Sequence, residues 1–134
     1  MNSTKMATIG FLVIFSLAMN LADPFEGKTW NIKVVPDGEA RKAGEKDYND
    51  AISFKGGKFT SKVQATQGFK PVEYSEDTTR FGPAKFTVQA TSDSAGTAKW
   101  TGTVTELIVQ GELIVTKKDG KTLTFSYSGE RSDR

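Results

Sequence analysis

The C-terminal third of the sequence contains three β-type runs in succession, with a tight turn signal between the last two. Residues 98–105, 109–117 and 122–129 are rich in β-branched and aromatic side chains, which suit the half-buried surface of a sheet. Asp119 and Gly120 separate the second run from the third, and such a pair favours a hairpin because both positions of a type I′ turn need positive φ. This stretch therefore predicts a three-stranded antiparallel meander.

Five further runs of alternating apolar and polar residues precede this meander. They cover residues 29–35, 51–54, 59–65, 72–74 and 85–91. A period of two is typical of a strand with one buried and one solvated face. Gly56 and Gly57 favour another tight hairpin between the second and third runs, and the charged segment 39–47 forms one helical turn or none. Together with the meander, these runs predict an all-β domain of about eight short antiparallel strands.

Every predicted strand has one apolar face that needs cover. No segment after the N-terminus is long enough to form a helix that would cover a sheet. Such a sheet buries its face by closing on itself or by packing on a second sheet. An up-and-down barrel needs no crossover connection, so we favour it over the alternative, a β-sandwich. Gly102 and Gly111 lie in the middle of two strands, where tight curvature favours glycine.

The N-terminus has the parts of a secretory signal peptide, which we assign to residues 1–22. A short polar start carries one lysine, residues 6–18 are mostly apolar, and small residues precede a polar boundary. The apolar run is shorter than the ~20 residues that a spanning helix needs, so an uncleaved anchor is the less favoured alternative. We predict cleavage after Ala22, or else after Ala18. This leaves one domain, residues 23–134, with no stable insertion in a membrane.

The predicted mature domain contains no cysteine and is nearly neutral. Small extracellular domains of eukaryotes usually depend on disulfides, so an exported domain without them favours a bacterial periplasmic or extracellular location. Loss of Lys5 leaves 17 of the 18 basic residues against 16 acidic ones. Lysines scattered among acids do not form the basic stripe of a nucleic-acid binder. The sequence thus predicts an exported protein without a nucleic-acid partner.

The residue types that are missing limit the chemistry of the chain. It has no histidine and no cysteine, which excludes a Ser-His-Asp triad, a Cys-His pair and a thiolate zinc site. Residues 47–50 include two aspartates but lack the full ligand set of a calcium loop, so we interpret them as a turn. The other carboxylates are interpreted as solvated, because an acid-base pair needs burial to separate its pKa values. The sequence predicts no enzyme, no metal and no cofactor.

In its predicted architecture the chain resembles the calycin group, which contains lipocalins, fatty-acid-binding proteins and avidins. The first strand opens with Gly27-Lys28-Thr29-Trp30, and Arg131 follows shortly after the last strand. In lipocalins, a tryptophan near the start of the first strand lies against an arginine from the end of the last. The resemblance therefore implies a barrel-closing pair of Trp30 and Arg131. Two residues separate the glycine from the tryptophan here, where lipocalins have one, and the helix that follows a lipocalin barrel is missing.

Large aromatic residues fall on the predicted inner faces and suggest two functions. A barrel of eight strands is just wide enough to be filled by side chains or to hold one small ligand. In the second case we expect an apolar or amphipathic ligand. The residues predicted to contact it are Trp30, Phe59, Tyr74, Phe86, Trp100, Phe125 and Tyr127. So many large rings argue against a wide cavity.

The alternative function is a protein-interaction or inhibitor module with a filled barrel. Ile108 and Ile114 fall on the outward face of a strand whose inward face is already apolar. Isoleucines that point outward from a strand can mark a contact surface. The sequence therefore also predicts a protein partner or a homodimer through Ile108 and Ile114.

Overall fold

The computed structural model describes residues 23–78 and 82–132, which form one closed antiparallel β-barrel. Eight strands follow one another around the barrel in chain order, and the first pairs with the last. This confirms the predicted all-β up-and-down barrel and not the β-sandwich. The predicted signal peptide, residues 1–22, lies outside the described residues, as do residues 79–81 and 133–134.

Two short helices interrupt the succession of strands. The strands are β1 (Lys28–Pro36), β2 (Tyr48–Lys55), β3 (Lys58–Ser61), β4 (Val72–Asp77), β5 (Ala84–Ser92), β6 (Gly96–Thr105), β7 (Ile108–Thr116) and β8 (Thr122–Arg131), and the helices are α1 (Gly38–Lys42) and α2 (Lys62–Ala65). Within the described residues, no helix has the length and apolar character needed to cross a membrane. β6 and β7 pair at nine positions, whereas β3 and β4 pair at only two. The barrel wall is therefore least supported between β3 and β4.

The inner faces are those that the alternation predicts. In β5, Phe86, Val88 and Ala90 are buried and the residues between them are exposed. β8 repeats this pattern from Leu123 to Tyr127, where every second residue is buried. Successive side chains of a strand point to opposite faces, so these residues form the core inside the barrel.

Both predicted hairpins are present, but one has a different turn. Gly56 and Gly57 have φ values of 62° and 77°, as a tight turn between β2 and β3 requires. Between β7 and β8 the connection is longer than two residues, and Gly120 has positive φ while Asp119 does not. Asp119 Oδ1 accepts a hydrogen bond from the Lys121 N–H at 2.9 Å. This local side-chain bond stabilises a wider turn in place of type I′.

The charged connection after β1 forms the short helix α1. Asp37 caps this helix, because its Oδ1 accepts a hydrogen bond from the Ala40 N–H at 2.8 Å. Such a bond satisfies one of the free amide groups of the first turn. Ala40 is fully buried in the core. One turn of helix therefore forms from a cap and a single buried side chain.

The predicted strand over residues 59–65 is wrong in its second half. β3 ends at Ser61, whose Oγ caps α2 by accepting a hydrogen bond from the Gln64 N–H at 3.1 Å. The Asp50 carboxylate accepts hydrogen bonds from Ser61 Oγ at 2.5 Å and from the Val63 N–H at 2.9 Å. These bonds satisfy backbone groups at the helix start, and they outweigh an alternating pattern of only moderate hydrophobicity.

The predicted turn over residues 47–50 is also wrong. β2 begins at Tyr48, and Asp50 is a buried residue of that strand. Asp47 instead forms an exposed ion pair with Arg41 at 2.8 Å. In the part of the chain that the structure describes, no group of three or more acidic side chains is placed to hold a metal ion. The Asp50 carboxylate is thus a buried structural group of the β2–α2 junction.

The two mid-strand glycines lie opposite each other in β6 and β7. A Cβ atom at Gly102 would collide with the Phe86 ring and with the Tyr127 hydroxyl group. At Gly111 it would collide with the backbone of β6. The absence of a side chain at Gly102 leaves room for aromatic side chains inside the barrel. The absence of a side chain at Gly111 lets β7 approach β6 closely.

Candidate functional site

Aromatic side chains fill one end of the barrel. The ring of Phe25, which precedes β1, has 0% exposure and lies 5.2 Å from the Phe54 ring and 5.5 Å from the Phe86 ring. Most ring pairs of this cluster are tilted or edge-to-face, the favourable arrangements. We call the cluster the aromatic end: Phe25, Trp30, Phe54, Phe59, Tyr74 and Phe86. This end of the barrel is a packed core.

The residues before β1 are fastened across the aromatic end. Asp23 Oδ1 accepts a hydrogen bond from the Phe25 N–H at 2.9 Å. The Glu26 carboxylate accepts hydrogen bonds from the N–H groups of Gly56 and Gly57 in the turn between β2 and β3. These bonds hold the Phe25 ring inside the barrel. The sequence gives no periodic pattern here, so this plug could not be predicted.

Glu26→Gln is expected to lower the melting temperature by a few degrees near neutral pH and by less in acid. Hydrogen bonds from the backbone of Gly57 and Gly56 hold the pKa of Glu26 below its ordinary value of 4.5. A carboxyl group whose pKa is lower in the folded state stabilises the fold above the unfolded pKa, and this stabilisation is lost as the pH falls through the folded pKa.

Thermal unfolding of this variant, followed by circular dichroism at about pH 7 and about pH 3, measures the effect. Glu112→Gln is the matched control, because Glu112 is exposed on β7 and forms none of the contacts above. An equal loss of stability at both pH values for Glu26→Gln would contradict the role given to its charge.

The predicted barrel-closing pair lies at the aromatic end. Trp30 of β1 is directly opposite Arg131 of β8 in the strand register. The Trp30 ring is fully buried and meets the Phe54 ring edge-on, with centroids 5.6 Å apart. Among the described residues, Trp30 Nε1 has no hydrogen-bond partner. The register brings the two positions together, and the stacking of the guanidinium on the indole stays a prediction.

A cavity of about 730 Å³ lies at the opposite end of the barrel, which we call the open end. It is bounded by the start of β2, by α2 and the residues after it, and by the β5–β6 and β7–β8 hairpins. Its buried and half-buried lining is largely apolar and includes Val63, Phe69, Ala95, Val115, Leu123 and Phe125. This size and this lining suit a small organic molecule.

The part of the cavity wall formed by α2 and the residues after it is fixed to three strands. Asp50 of β2 holds the start of α2, as described above. Ser92 of β5 donates a hydrogen bond from its Oγ to the Gln67 carbonyl oxygen at 2.8 Å. Trp100 of β6 donates from its Nε1 to Gln64 Oε1 at 3.0 Å. The wall is therefore preorganised, which lowers the ordering cost of binding.

The rim of the cavity carries charges of both signs. Lys117 and Lys118 lie in the β7–β8 hairpin beside Asp119, and Glu45, in the connection between α1 and β2, also lines the cavity. Lys117 Nζ is 4.0 Å from Glu45 Oε2, and a partly exposed pair of this kind contributes little to stability. Two basic and two acidic groups can meet polar parts of a ligand, but together they do not select the sign of its charge.

Tyr48 adds a hydroxyl group to the cavity wall. Its ring meets the Phe125 ring edge-on, with centroids 6.2 Å apart. Burial raises the pKa of Tyr48 well above its ordinary value, and the negative charges of Asp50 and Glu45 raise it further. The hydroxyl is therefore protonated at neutral pH and is available as a hydrogen-bond donor.

Of the residues that the sequence predicted to contact a ligand, Phe125 lines the cavity. Trp100 and Tyr127 form a layer between the two ends, with ring centroids 5.2 Å apart. Tyr127 Oη already donates a hydrogen bond to the Thr101 carbonyl oxygen at 2.9 Å. The remaining four residues belong to the aromatic end: Trp30, Phe59, Tyr74 and Phe86.

Thirteen of the fourteen lining residues were not among the predicted ligand contacts, and for three of them the predicted local structure does not match their place in the cavity wall. Tyr48 fell in the predicted turn, Phe69 in a loop, and Gln64 on the outward face of the predicted strand. The missed signal is the spacing of Ser61 and Gln64, since a serine followed three residues later by glutamine is typical of a helix start. A helix that begins at this point turns Gln64 toward the interior.

The two isoleucines of the alternative function do not form one patch. Among the described residues, Ile108 is the one large hydrophobic residue that is exposed to solvent, with 41% exposure. Ile114 is half-buried on the same strand, between Lys99 and Thr124 of the neighbouring strands. Six residues of strand separate the two positions by roughly 20 Å. Each isoleucine is thus a separate, small apolar site.

No family model, curated protein or solved structure matches this chain.

Proposed function

We propose that this protein is an exported, non-enzymatic binding protein that holds one small amphipathic molecule in the cavity at the open end. The observation that carries the proposal is the division of the barrel interior. One end is filled by aromatic side chains, while the other has a cavity of about 730 Å³ with a buried apolar wall. Binding pockets for small molecules fall in the range of about 300–1,000 Å³.

The lining indicates the chemistry of the ligand. Leu123, Phe125 and Phe69 are buried and offer an apolar surface to the body of the molecule. Exposed polar residues surround the opening, where polar parts of the ligand would keep contact with water. Because the rim charges are balanced, an amphipathic molecule fits better than a highly charged one.

The architecture also supports the proposal at the level of analogy. The closed barrel of eight strands in chain order resembles the calycin group, and the opposition of Trp30 and Arg131 at the aromatic end fits a lipocalin-like arrangement. A fold alone does not establish a function. Export rests on the predicted signal peptide, and a bacterial periplasmic or extracellular location is part of the proposal.

Val115→Trp is expected to weaken binding of the neutral fluorescent probe N-phenyl-1-naphthylamine by about tenfold or more, equivalent to 1.4 kcal/mol or more. Val115 lines the cavity on β7 opposite Leu123, so an indole at this position fills the space that the probe would occupy. Fluorescence titration of the wild-type protein and the variant gives the two dissociation constants.

Val35→Trp is the matched control, since the same substitution is made on the outward face of β1. Its affinity for the probe should stay within about twofold of wild type. Equal affinities of wild type and both variants would place the probe elsewhere and contradict the proposed site. Failure of the wild-type protein to bind this probe and a panel of neutral amphiphiles would contradict the proposed function.

A further inference from the structure

Gln64 is the polar side chain that lies deepest among the residues lining the cavity. It is 4% exposed. Its N–H donates a hydrogen bond to Ser61 Oγ, and its carbonyl oxygen accepts hydrogen bonds from the N–H groups of Gln67 at 2.8 Å and Phe69 at 3.1 Å. Its side-chain Oε1 accepts the hydrogen bond from Trp100 Nε1. These contacts fix both the backbone and one half of the side-chain amide.

The bond to Trp100 determines which way the amide of Gln64 faces. An indole N–H is a donor only, so it must meet the oxygen of the amide and not the nitrogen. The Nε2 group then points away from Trp100 with two N–H donors. Across residues 23–78 and 82–132, no acceptor bonds to Gln64 Nε2. Among the described residues, the buried side-chain nitrogen or oxygen atom that lacks a partner is Trp30 Nε1, so Gln64 Nε2 keeps some accessible surface. Because Gln64 lines the cavity, a ligand acceptor in the cavity could bond to this donor.

We propose that the molecule bound in the cavity presents an uncharged oxygen acceptor, such as a ketone, ester or amide carbonyl, to Gln64 Nε2. Gln64 is then a specificity-determining residue, and the acceptor-bearing end of the ligand enters first. This inference rests on the proposed function, because it describes how the ligand of that cavity is recognised.

The surrounding groups favour a neutral acceptor over a carboxylate. Tyr48 offers a second donor on the same wall, and the acidic groups that face it are Asp50 and Glu45. Glu45 is paired with Lys117 at the rim, 4.0 Å away, whereas Asp50 is buried behind the wall. A carboxylate brought to Gln64 would lose its hydration and meet a negative potential from Asp50.

Three naphthalene probes of similar size test the inference on the wild-type protein. They are 2-acetylnaphthalene, which has a ketone, 2-ethylnaphthalene, which has no acceptor, and 2-naphthoate, which is charged. Each displaces N-phenyl-1-naphthylamine in a competition titration. After correction for the partition of each probe between octanol and water, we expect the ketone to bind about tenfold tighter than the other two, the effect of one added hydrogen bond in a buried site.

Gln64→Glu tests the same group from the side of the protein. Once its carboxyl group is ionised, glutamate keeps an oxygen for Trp100 Nε1 and has no donor in place of Nε2, so the preference for the ketone over 2-ethylnaphthalene should disappear as the pH is raised through the pKa of this carboxyl group. Gln89→Glu makes the same charge change on the exposed face of β5 and should keep the full preference. Near-ultraviolet circular dichroism of each variant reports whether the buried aromatic residues remain packed.

Nuclear magnetic resonance keeps the test decisive if Gln64→Glu does not fold. In the wild-type protein, the side-chain amide signals of Gln64 should shift on addition of 2-acetylnaphthalene and not on addition of 2-ethylnaphthalene. Equal binding of both probes, or equal shifts with both, would overturn the inference while leaving the proposed function intact. Absence of binding by all probes, including N-phenyl-1-naphthylamine, would overturn both.

Discussion

Trp100→Ala is expected to lower the free energy of unfolding by about 3–5 kcal/mol, the usual cost of removing a large aromatic side chain from a core. The ring is 0% exposed and lies between the aromatic end and the cavity. Its centroid is 5.3 Å from that of Phe59 and 5.2 Å from that of Tyr127. The substitution also leaves Gln64 Oε1 without its donor. Urea denaturation followed by circular dichroism measures the loss.

Trp100→Phe separates the two contributions of this side chain. Phenylalanine keeps a ring in the layer between the two ends and removes the N–H that Gln64 accepts, so the loss of stability should be clearly smaller than for Trp100→Ala. A loss below about 1 kcal/mol for the alanine variant, the size of an average surface or mild core change, would show that Trp100 is not the central packing residue described here.

Gly111→Val is expected to prevent the barrel from closing. A Cβ atom at Gly111 would collide with the Thr101 carbonyl oxygen and lie 2.7 Å from the Gly102 Cα. These atoms belong to the backbone of β6 and cannot move aside as a flexible side chain does. Steric overlap of this kind in a core belongs to the exceptional class of substitutions that cost more than about 4–5 kcal/mol. The expected product is an unfolded or aggregated chain.

Gly38→Ala is the control for a glycine without such contacts. A Cβ at Gly38 would have no neighbour within 4 Å, and its backbone does not have positive φ. In the first turn of α1 the change should be neutral or slightly stabilising. Thermal melts and the dispersion of amide signals distinguish the two variants. A Gly111→Val protein that melts at the wild-type temperature would refute the close strand approach.

The strands could be predicted because their signal is local. Alternation in β5 and β8 places Phe86, Val88 and Phe125 on the inner face without knowledge of the rest of the chain. Gly56 and Gly57 have the positive φ that the turn chemistry demands. Closure of the sheet into a barrel could be predicted because each strand has one apolar face and the chain has no helix long enough to cover it. Each of these steps needs only a period, a turn type and the requirement to bury an apolar face.

The failures arise from contacts that are distant in sequence. The end of β3 depends on Asp50, eleven residues before Ser61, and a local pattern contains no trace of this bond. The Phe25 plug depends in the same way on Glu26, whose carboxylate binds the turn thirty residues later. The Asp50–Ser61 bond is buried, where a hydrogen bond is stronger than in water, so it overrides a weak local preference. The Glu26 bonds are exposed, but they too join residues that are remote in sequence.

The position of the candidate site could not be read from the inner-face pattern. Alternation shows which side chains point inward, but not whether they meet at a filled end or an open end. Phe59 and Phe125 are equally inward by their pattern, yet Phe59 packs in the aromatic end and Phe125 lines the cavity. The difference comes from Phe25, which enters one end only, and from α2, which carries Gln64 over the other end.

Native mass spectrometry of the wild-type protein, purified gently from its natural compartment, tests the central claim most directly. We expect an added mass of one small molecule per chain that disappears on denaturation. The same preparation of Val115→Trp, whose indole fills the cavity, should carry none. A bare monomer mass for the wild-type protein, or the same added mass on both proteins, would contradict a ligand site at the open end.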